Sequence, residues 1–360
     1  MRHEIRCWRI PEWPLEDQRL WIENCKAGDP FDDPHYAPTL RSATRDKTAK
    51  GYGRWLCFLA SNGWLDKSGP PLDRVTRPRL RRYFQELRAA GNADHTIIGR
   101  FDELCRAMRI LAPHRDSSWI RKPTGATIYS LLEKNRRTVL VPDAEVLLAW
   151  GYSMMDQANT KTRRRDQLIA FRDGLLLTLL ASCGRRLRSI SLLRLGRELV
   201  RGTVCYRIEL CPDQVKTNRA DCFDLQPELT PYIDRYINDV RPALLGDARY
   251  AALWISARGG IWTAKAIQNQ VLAHSRARFG TAFGPHRFRH AIASTAPHLD
   301  PSNPLLAAEL LGISRETVQE SYNRAGSARA ATAYEKCLAR RIAAIRHGNC
   351  RSKPAPEHGP

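Results

Sequence analysis

The stretch GPHRFRHAIAS, residues 284–294, places His286, Arg289 and His290 at i, i+3 and i+4. Pro285 suits a first helical turn, where a missing N–H has no intrahelical partner to lose. The three side chains are then predicted to lie on one face. Grouped cations disfavour a purely structural helix, but around a phosphate they are useful. Arginine grips two oxygens with a planar fork, and histidine moves protons near neutral pH. A second arginine-rich turn, Cys183-Gly184-Arg185-Arg186, ends an apolar run. Its glycine lets the backbone turn sharply and aim Arg186 at a site. Taken singly, arginine pairs and helix-face histidines are more often surface features.

The partner for such a site is indicated by charge. Lys plus Arg number 58 against 37 Asp plus Glu, a net +21. That balance draws the chain to polyanions, with nucleic acid foremost and anionic lipid as the alternative that charge alone leaves open. No apolar run approaches the roughly 20 residues needed to cross a bilayer. The opening MRHEIRCWRIPEWPLEDQ is broken by charge and proline, unlike a secretory signal, so a cytoplasmic protein is expected. The 10 cysteines are scattered, without Cys-x-x-Cys pairs or histidines at zinc spacing, which predicts a reducing compartment and no structural metal. Neither GxxxxGK[ST] nor a GxGxxG after a strand occurs, so the chemistry is expected to need no nucleotide cofactor.

These residues must be held by a mainly helical chain. Residues 1–38 carry Trp8, Trp13 and Trp21, but Pro11, Pro14, Pro30 and Pro34 interrupt them, which predicts an irregular arm. Helical periodicity begins near Ser42, with Tyr52, Trp55, Leu56 and Leu59 on one stripe and Gly63 at its end. Leu80, Tyr83, Phe84 and Leu87 mark a second helix before Gly91, and Ile97, Phe101, Leu104 and Met108 a third. Residues 71–125 hold 12 Arg/Lys against 6 Asp/Glu, largely off the apolar stripes. Residues 39–115 therefore read as a helical domain with a net positive face, suited to a duplex backbone. Residues 116–140 suit a linker. Beyond it, residues 141–346 read as a second domain. Its helices start at Pro142-Asp143 and run through Leu168 to Cys183, and further helices start from Thr263, Pro285, Pro304, Ser314 and about Ser327. Strands are expected over Val204 to Leu210 and Asp221 to Leu225, with a possible third over Ala252 to Ser256. Residues 347–360 read as a disordered tail.

In order and type, these segments resemble the tyrosine recombinase, or phage-integrase-type, family from about residue 40 to about 335. CGRR matches the turn that delivers the family's first phosphate-binding arginine, here Arg186. The β-hairpin lysine matches Lys216 in LCPDQVKTNRADCFDL, and the His-x-x-Arg-His box matches His286, Arg289 and His290. In ELLGISRETVQESYNRAG, Gly312 plus ten gives Tyr322 as the nucleophile. Tyr206, Tyr232, Tyr236 and Tyr334 are the other tyrosines to weigh, and Tyr334 lies twelve residues beyond Tyr322, where the spacing no longer fits. The resemblance implies an α+β catalytic domain with a small antiparallel sheet, an all-α N-terminal core-binding domain, and a C-shaped clamp on double-stranded DNA. It also implies a homotetramer on two DNA sites, with accessory DNA-bending proteins as possible partners, and a mobile-element setting.

The chemistry so implied is attack of Tyr322 on a backbone phosphate, giving a 3′-phosphotyrosyl bond and a free 5′-hydroxyl. Arg186 and Arg289 would neutralise the non-bridging oxygens, and Lys216 would protonate the leaving oxygen. His286 would take the tyrosine proton or hold a phosphate oxygen while His290 orients its neighbours, roles that could be exchanged. Two positions depart from the pattern. Ser189 stands where an acidic residue is usual, and Ile313 where a His or Trp follows the Leu-Gly pair. Slow or partner-dependent activity is the expectation. A type IB topoisomerase, a telomere resolvase, a DNA-binding protein of this fold that no longer cleaves, and a structural basic protein are the alternatives. Leu338, Ile342 and Ile345 form an apolar stripe suited equally to an adjacent protomer or to its own domain.

Overall fold

The computed structural model describes residues 7–27, 36–132, 141–215, 219–299, 303, 305–314 and 318. Two compact units divide the chain, residues 1–137 and 138–360. The helices expected from Ser314 and Ser327, the apolar stripe at Leu338, Ile342 and Ile345, and the tail lie outside the described residues.

The first unit is helical: α1 (Leu15–Asn24), α2 (Ser42–Ser61), α3 (Arg77–Ala89), α4 (Asp94–Leu111) and a single turn, α5 (Ile128–Leu131). The sequence-based arm is corrected here, since α1 is a regular helix whose Trp21, together with Trp13, is buried in the core of this unit. The physical reason is where the prolines fall. Pro14 occupies the N-cap of α1, where proline is tolerated, and no other proline occurs until Pro30. Trp13 meets Trp21 and Tyr52 edge to face at 5.5 and 4.9 Å. Asp17 of α1 is fully buried and joins Arg74 at 2.5 Å and the Tyr52 hydroxyl at 2.7 Å. Burial and the Asp17 carboxylate push the Tyr52 pKa well above its ordinary value. Part of the expected linker also belongs to this unit, because Ile120, Ile128 and Leu132 are buried in the same core.

The second unit is built on α6 (Ala144–Asp156) and the long α7 (Arg164–Cys183), followed by α8 (Leu187–Ser191). A three-stranded antiparallel sheet follows, β1 (Leu199–Arg201), β2 (Tyr206–Leu210) and β3 (Asp221–Asp224), in the order β1-β2-β3. In β2, Tyr206, Ile208 and Leu210 face the core while Arg207 and Glu209 face out. Arg207 opposes Asp224 in register, and their side chains pair at 2.7 Å.

The third strand is β1, too short to show a period. The Ala252 to Ser256 segment instead makes isolated bridges, Arg194 to Ala252 and Ile255 to Ile261. Its Leu253, Trp254 and Ile255 are fully buried, so its apolar run reflects burial rather than ladder pairing. The unanticipated helical stretch is α9 (Thr230–Arg235), a π segment (Tyr236–Val240) and α10 (Arg241–Leu245). Pro231 and Pro242 hid it. Each sits at a first-turn position of α9 or α10, and the wide π turn lies between the two helices.

Then come α11 (Ala264–Phe279), α12 (His286–Leu299) and α13 (Leu306–Leu311). Buried Asp173 of α7 ties α11 to the core, with His274 Nε2 2.7 Å away and Arg172 donating at 2.7 Å. Arg172 in turn lies 3.7 Å over the Trp262 ring. No helix among the described residues is long and apolar enough to cross a membrane.

Because α1 supplies half of a buried ion pair, Asp17→Ala is expected to destabilise the first unit by about 3–5 kcal/mol, the weight of a buried charge left without its partner. Urea denaturation followed by tryptophan fluorescence checks this, and a change below about 0.5 kcal/mol would mean that α1 is a loose attachment after all.

Candidate active site

The site begins where α7 ends. Gly184 stops that helix in the left-handed region, at φ 59° and ψ 17°. A Cβ there would come within 2.8 Å of Leu311 and 2.9 Å of Ile292, so backbone angle and packing both require glycine. The two arginines that follow do different work. Arg185 donates to Asp221 of β3 at 2.7 Å and to the Leu310 carbonyl, and its guanidinium lies 4.3 Å over the Phe223 ring. It is a brace between the turn, the sheet and α13. Arg186 is half-buried at the N-cap of α8 and has no ion-pair partner among the described residues.

Arg289 comes from α12 and is only 2 % exposed. Its Nη1 donates to the Gly184 carbonyl and its Nη2 to the Leu311 carbonyl at 2.9 Å. Both acceptors stand at the C-terminal ends of helices, α7 and α13, each closed by a left-handed glycine, Gly184 or Gly312. Those ends carry orphan carbonyls and partial negative charge, so a cation is well placed there. Arg186, Arg289, Ser189, Val215, Arg219 and Ile313 all line one cleft of about 710 Å³.

His286 and His290 do not line that cleft. His286 is exposed, His290 is half-buried, and their rings meet edge to face at 4.9 Å. The expected single face is therefore split. At about 100° per residue, Arg289 lies roughly 60° to one side of His286 and His290 roughly 40° to the other. Lys216 and Tyr322 lie outside the described residues. Val215 and Arg219, which flank Lys216 among the described residues, both line the cleft, as do Gly312, Ile313 and Ser314, which precede Tyr322 in sequence.

The departures from the family pattern have structural counterparts. The Ser189 hydroxyl donates to the Gln214 carbonyl at 3.2 Å. The Gln214 side chain donates to Glu198 at 2.9 Å and accepts from the Cys211 N–H at 3.0 Å. Glu198, 1 % exposed, also accepts from Arg194 Nε at 2.9 Å. A buried carboxylate thus secures the turn at Pro212–Gln214, although it comes from the start of β1 rather than from position 189. Nothing in the sequence sets it apart, since Arg194 and Glu198 have only the i, i+4 spacing common to surface ion pairs. Burial pushes the Glu198 carboxyl up, but the hydrogen bonds from Arg194 and Gln214 outweigh this and hold it below the usual range. Ile313 packs into a small apolar cluster with Ile292, Ala296, Leu311 and Val318.

In the second unit, Cys183 and three tyrosines are held by burial or hydrogen bonds. Burial pushes the Cys183 thiol up to about 11, leaving it neutral at pH 7. Tyr206 hydrogen-bonds Asp234 at 2.6 Å, and burial followed by that bond raises it to about 12. Burial raises Tyr236 to about 12, and its hydroxyl donates to the Leu253 carbonyl at 3.0 Å. Tyr232 donates to Asp156 at 2.8 Å. These three tyrosines are structural, and Tyr334 lies outside the described residues.

No family model matches the chain, and no curated protein matches it. Solved structures do. XerH site-specific recombinase bound to palindromic difH substrate, in a post-cleavage complex, aligns at TM-score 0.54 and 15 % identity, covering 93 % of this chain and 99 % of that one. Its pre-cleavage complex with difH aligns at TM-score 0.53 and 14 % identity, over 89 % and 94 % of the two chains. The Tn1549 transposon integrase in complex with transposon right end DNA aligns at TM-score 0.50 and 14 % identity, over 87 % and 98 %. The fold is that of the tyrosine recombinases, helices with a small antiparallel sheet.

Arg186 and Arg289 are expected to separate in stability. Arg289→Ala leaves two helix-end carbonyls without their donor and should cost roughly 2–4 kcal/mol, whereas Arg186→Ala should stay within about 0.5 kcal/mol of wild type. Chemical denaturation of both variants checks this, and equal losses would contradict the bridging role of Arg289. A second expectation concerns acid. Because the folded Glu198 carboxyl is depressed, its contribution is fully present above the ordinary glutamate value of 4.5 and is lost as pH falls through the lower folded value. Melting temperature measured against pH should therefore drop below about 4.5 in wild type and more shallowly in Glu198→Gln.

Proposed function

We propose that this chain is a tyrosine-type DNA strand transferase that carries out site-specific recombination through a covalent 3′-phosphotyrosyl intermediate. One observation carries the reading: within a tyrosine-recombinase fold, Arg186 and Arg289 from distant segments line the same cleft, together with Val215 and Arg219, which flank Lys216 in sequence. A net charge of +21 supports duplex DNA as the substrate.

In this mechanism the Tyr322 hydroxyl gives up its proton, with His286 as the acceptor or as a phosphate ligand. The phenolate oxygen bonds to phosphorus while the bond to the 5′ oxygen breaks. Lys216 donates a proton to that leaving oxygen. Arg186 and Arg289 stabilise the charge that builds on the non-bridging oxygens, and Arg289 does so from a pre-set position because two backbone carbonyls already fix its guanidinium. His290 orients His286 through their ring contact. The diester bond energy is retained in the phosphotyrosine, so a second 5′-hydroxyl can reverse the step. The protein acts as a homotetramer on two double-stranded DNA sites.

Ile313 favours a second reading, a DNA-binding protein of this fold that no longer cleaves, since isoleucine offers no hydrogen bond to a phosphate oxygen. A nicked suicide duplex carrying the tightest-bound site separates the two. The transferase gives a covalent protein–DNA band that Tyr322→Phe abolishes; a band that survives Tyr322→Phe, or tight binding with no band at all, refutes the proposal. Restoring the missing donor with Ile313→His should speed single-turnover cleavage by up to about a hundredfold.

A further inference from the structure

The first unit contains a second organised group of charges, remote in sequence from the cleft residues. Glu103 of α4 is 1 % exposed, an unusual burial for a glutamate. Three cations converge on it: Arg100 at 2.9 Å, Arg54 at 3.3 Å and Lys47 at 3.6 Å. Lys47 and Arg54 belong to α2 and stand two turns apart on one side of that helix, while Arg100 precedes Glu103 by one turn on α4. Gly51 lies between Lys47 and Arg54. A Cβ on Gly51 would sit 2.3 Å from the Glu103 Cβ, so only a glycine lets this carboxylate lie directly against α2.

One carboxylate does not neutralise three cations; the group keeps 3 − 1 = +2. The side chains of Arg54 and Arg100 are only 23 % and 22 % exposed, which fixes their guanidinium groups, while Lys47 at 64 % reaches into solvent. The Tyr83 hydroxyl, also buried, has no hydrogen-bond partner among the described residues and feels Arg100, Arg54 and Glu103 electrostatically. An excess of pre-set positive charge around a buried acid is poor design for stability alone, because the acid must be desolvated. It is good design for gripping a fixed anion, since arginine is already ordered before contact.

We infer that Glu103 is a positioning residue that presents Lys47, Arg54 and Arg100 to the phosphate backbone of duplex DNA. This rests on the DNA-acting reading above and assigns a backbone-gripping surface to α2 and α4. Its consequence runs against simple charge counting. Glu103→Gln makes the protein more positive, yet it should weaken DNA binding because the cations lose the group that holds them.

The test uses the full chain and a fluorescent random-sequence duplex titrated across a salt series. Lys47→Ala and Arg54→Ala should each lower the slope of log K against log salt by about 0.9, the signature of one lost phosphate contact. Glu103→Gln should bind roughly five- to tenfold more weakly at about 0.1 M salt, the weight of one such contact. Binding by folded Glu103→Gln that equals or exceeds wild type overturns the inference, and so do unchanged slopes in the other two variants. If Glu103→Gln does not fold, the slopes of Lys47→Ala and Arg54→Ala decide. Failure of wild type to bind any duplex removes the DNA-acting reading as well, whereas wild-type binding with unaffected variants removes this surface only.

Discussion

The guanidinium of Arg289 is the interaction on which the cleft depends. It enters from α12 and donates to the ends of two other helices, α7 at Gly184 and α13 at Leu311. Each of those ends has carbonyls that the helix itself cannot satisfy, so one buried cation answers two backbone needs together. The same contact sets the local geometry of three chain segments. It fixes the turn from which Arg186 projects and the turn at Gly312 from which the chain continues toward Tyr322. A charge that would be expensive to bury alone is held by acceptors the fold must satisfy anyway.

Around this bridge lies a supporting layer of ordinary pairs. Arg185 binds Asp221 and so joins the Gly184 turn to the sheet, and the Ser189 hydroxyl joins α8 to the turn before position 216. Glu198 completes the layer by holding Gln214 from the other side. The carboxylate missing at position 189 is thus matched by one from a different element, reaching the same turn through an intermediate glutamine. At position 313 the isoleucine is committed to apolar packing. Of the two departures at this cleft, Ser189 still reaches the turn before position 216 by a hydrogen bond, whereas Ile313 makes apolar contacts.

The first unit uses buried acids to govern basic side chains to two different ends. Asp17 and Arg74 are each buried and close a pair inside the first core, which locks α1 in place. Glu103 is buried while its partners are not, so their charge remains available at the surface. The chain carries 58 basic residues. The few arginines anchored by buried acceptors are those whose direction is set before any ligand arrives.

Much of this was legible from the sequence. The helices from Ser42, Arg77, Asp94, Ala144, Arg164, Ala264 and His286 follow from apolar spacing and from glycine or proline punctuation, which are local and repeat over several turns. The β2–β3 hairpin was legible for the same reason. Residue types and spacing also picked out Arg186 and the His286, Arg289, His290 group. What the sequence did not determine was direction and partnership. Adjacent Arg185 and Arg186 look alike as letters, and only the arrival of Asp221 and Leu310 makes the first a brace, while Arg186 has no ion-pair partner among the described residues. Arg289 and His290 read as one face, and only the approach of Gly184 and Leu311 draws the arginine inward. Helix α1 and the π-containing stretch before Gly246 escaped because proline was read as interruption where it sits at a helix start. Periodicity records how a segment meets its own neighbours along the chain, whereas the choice of hydrogen-bond acceptor for a buried cation depends on residues more than a hundred positions away, such as Gly184 for Arg289.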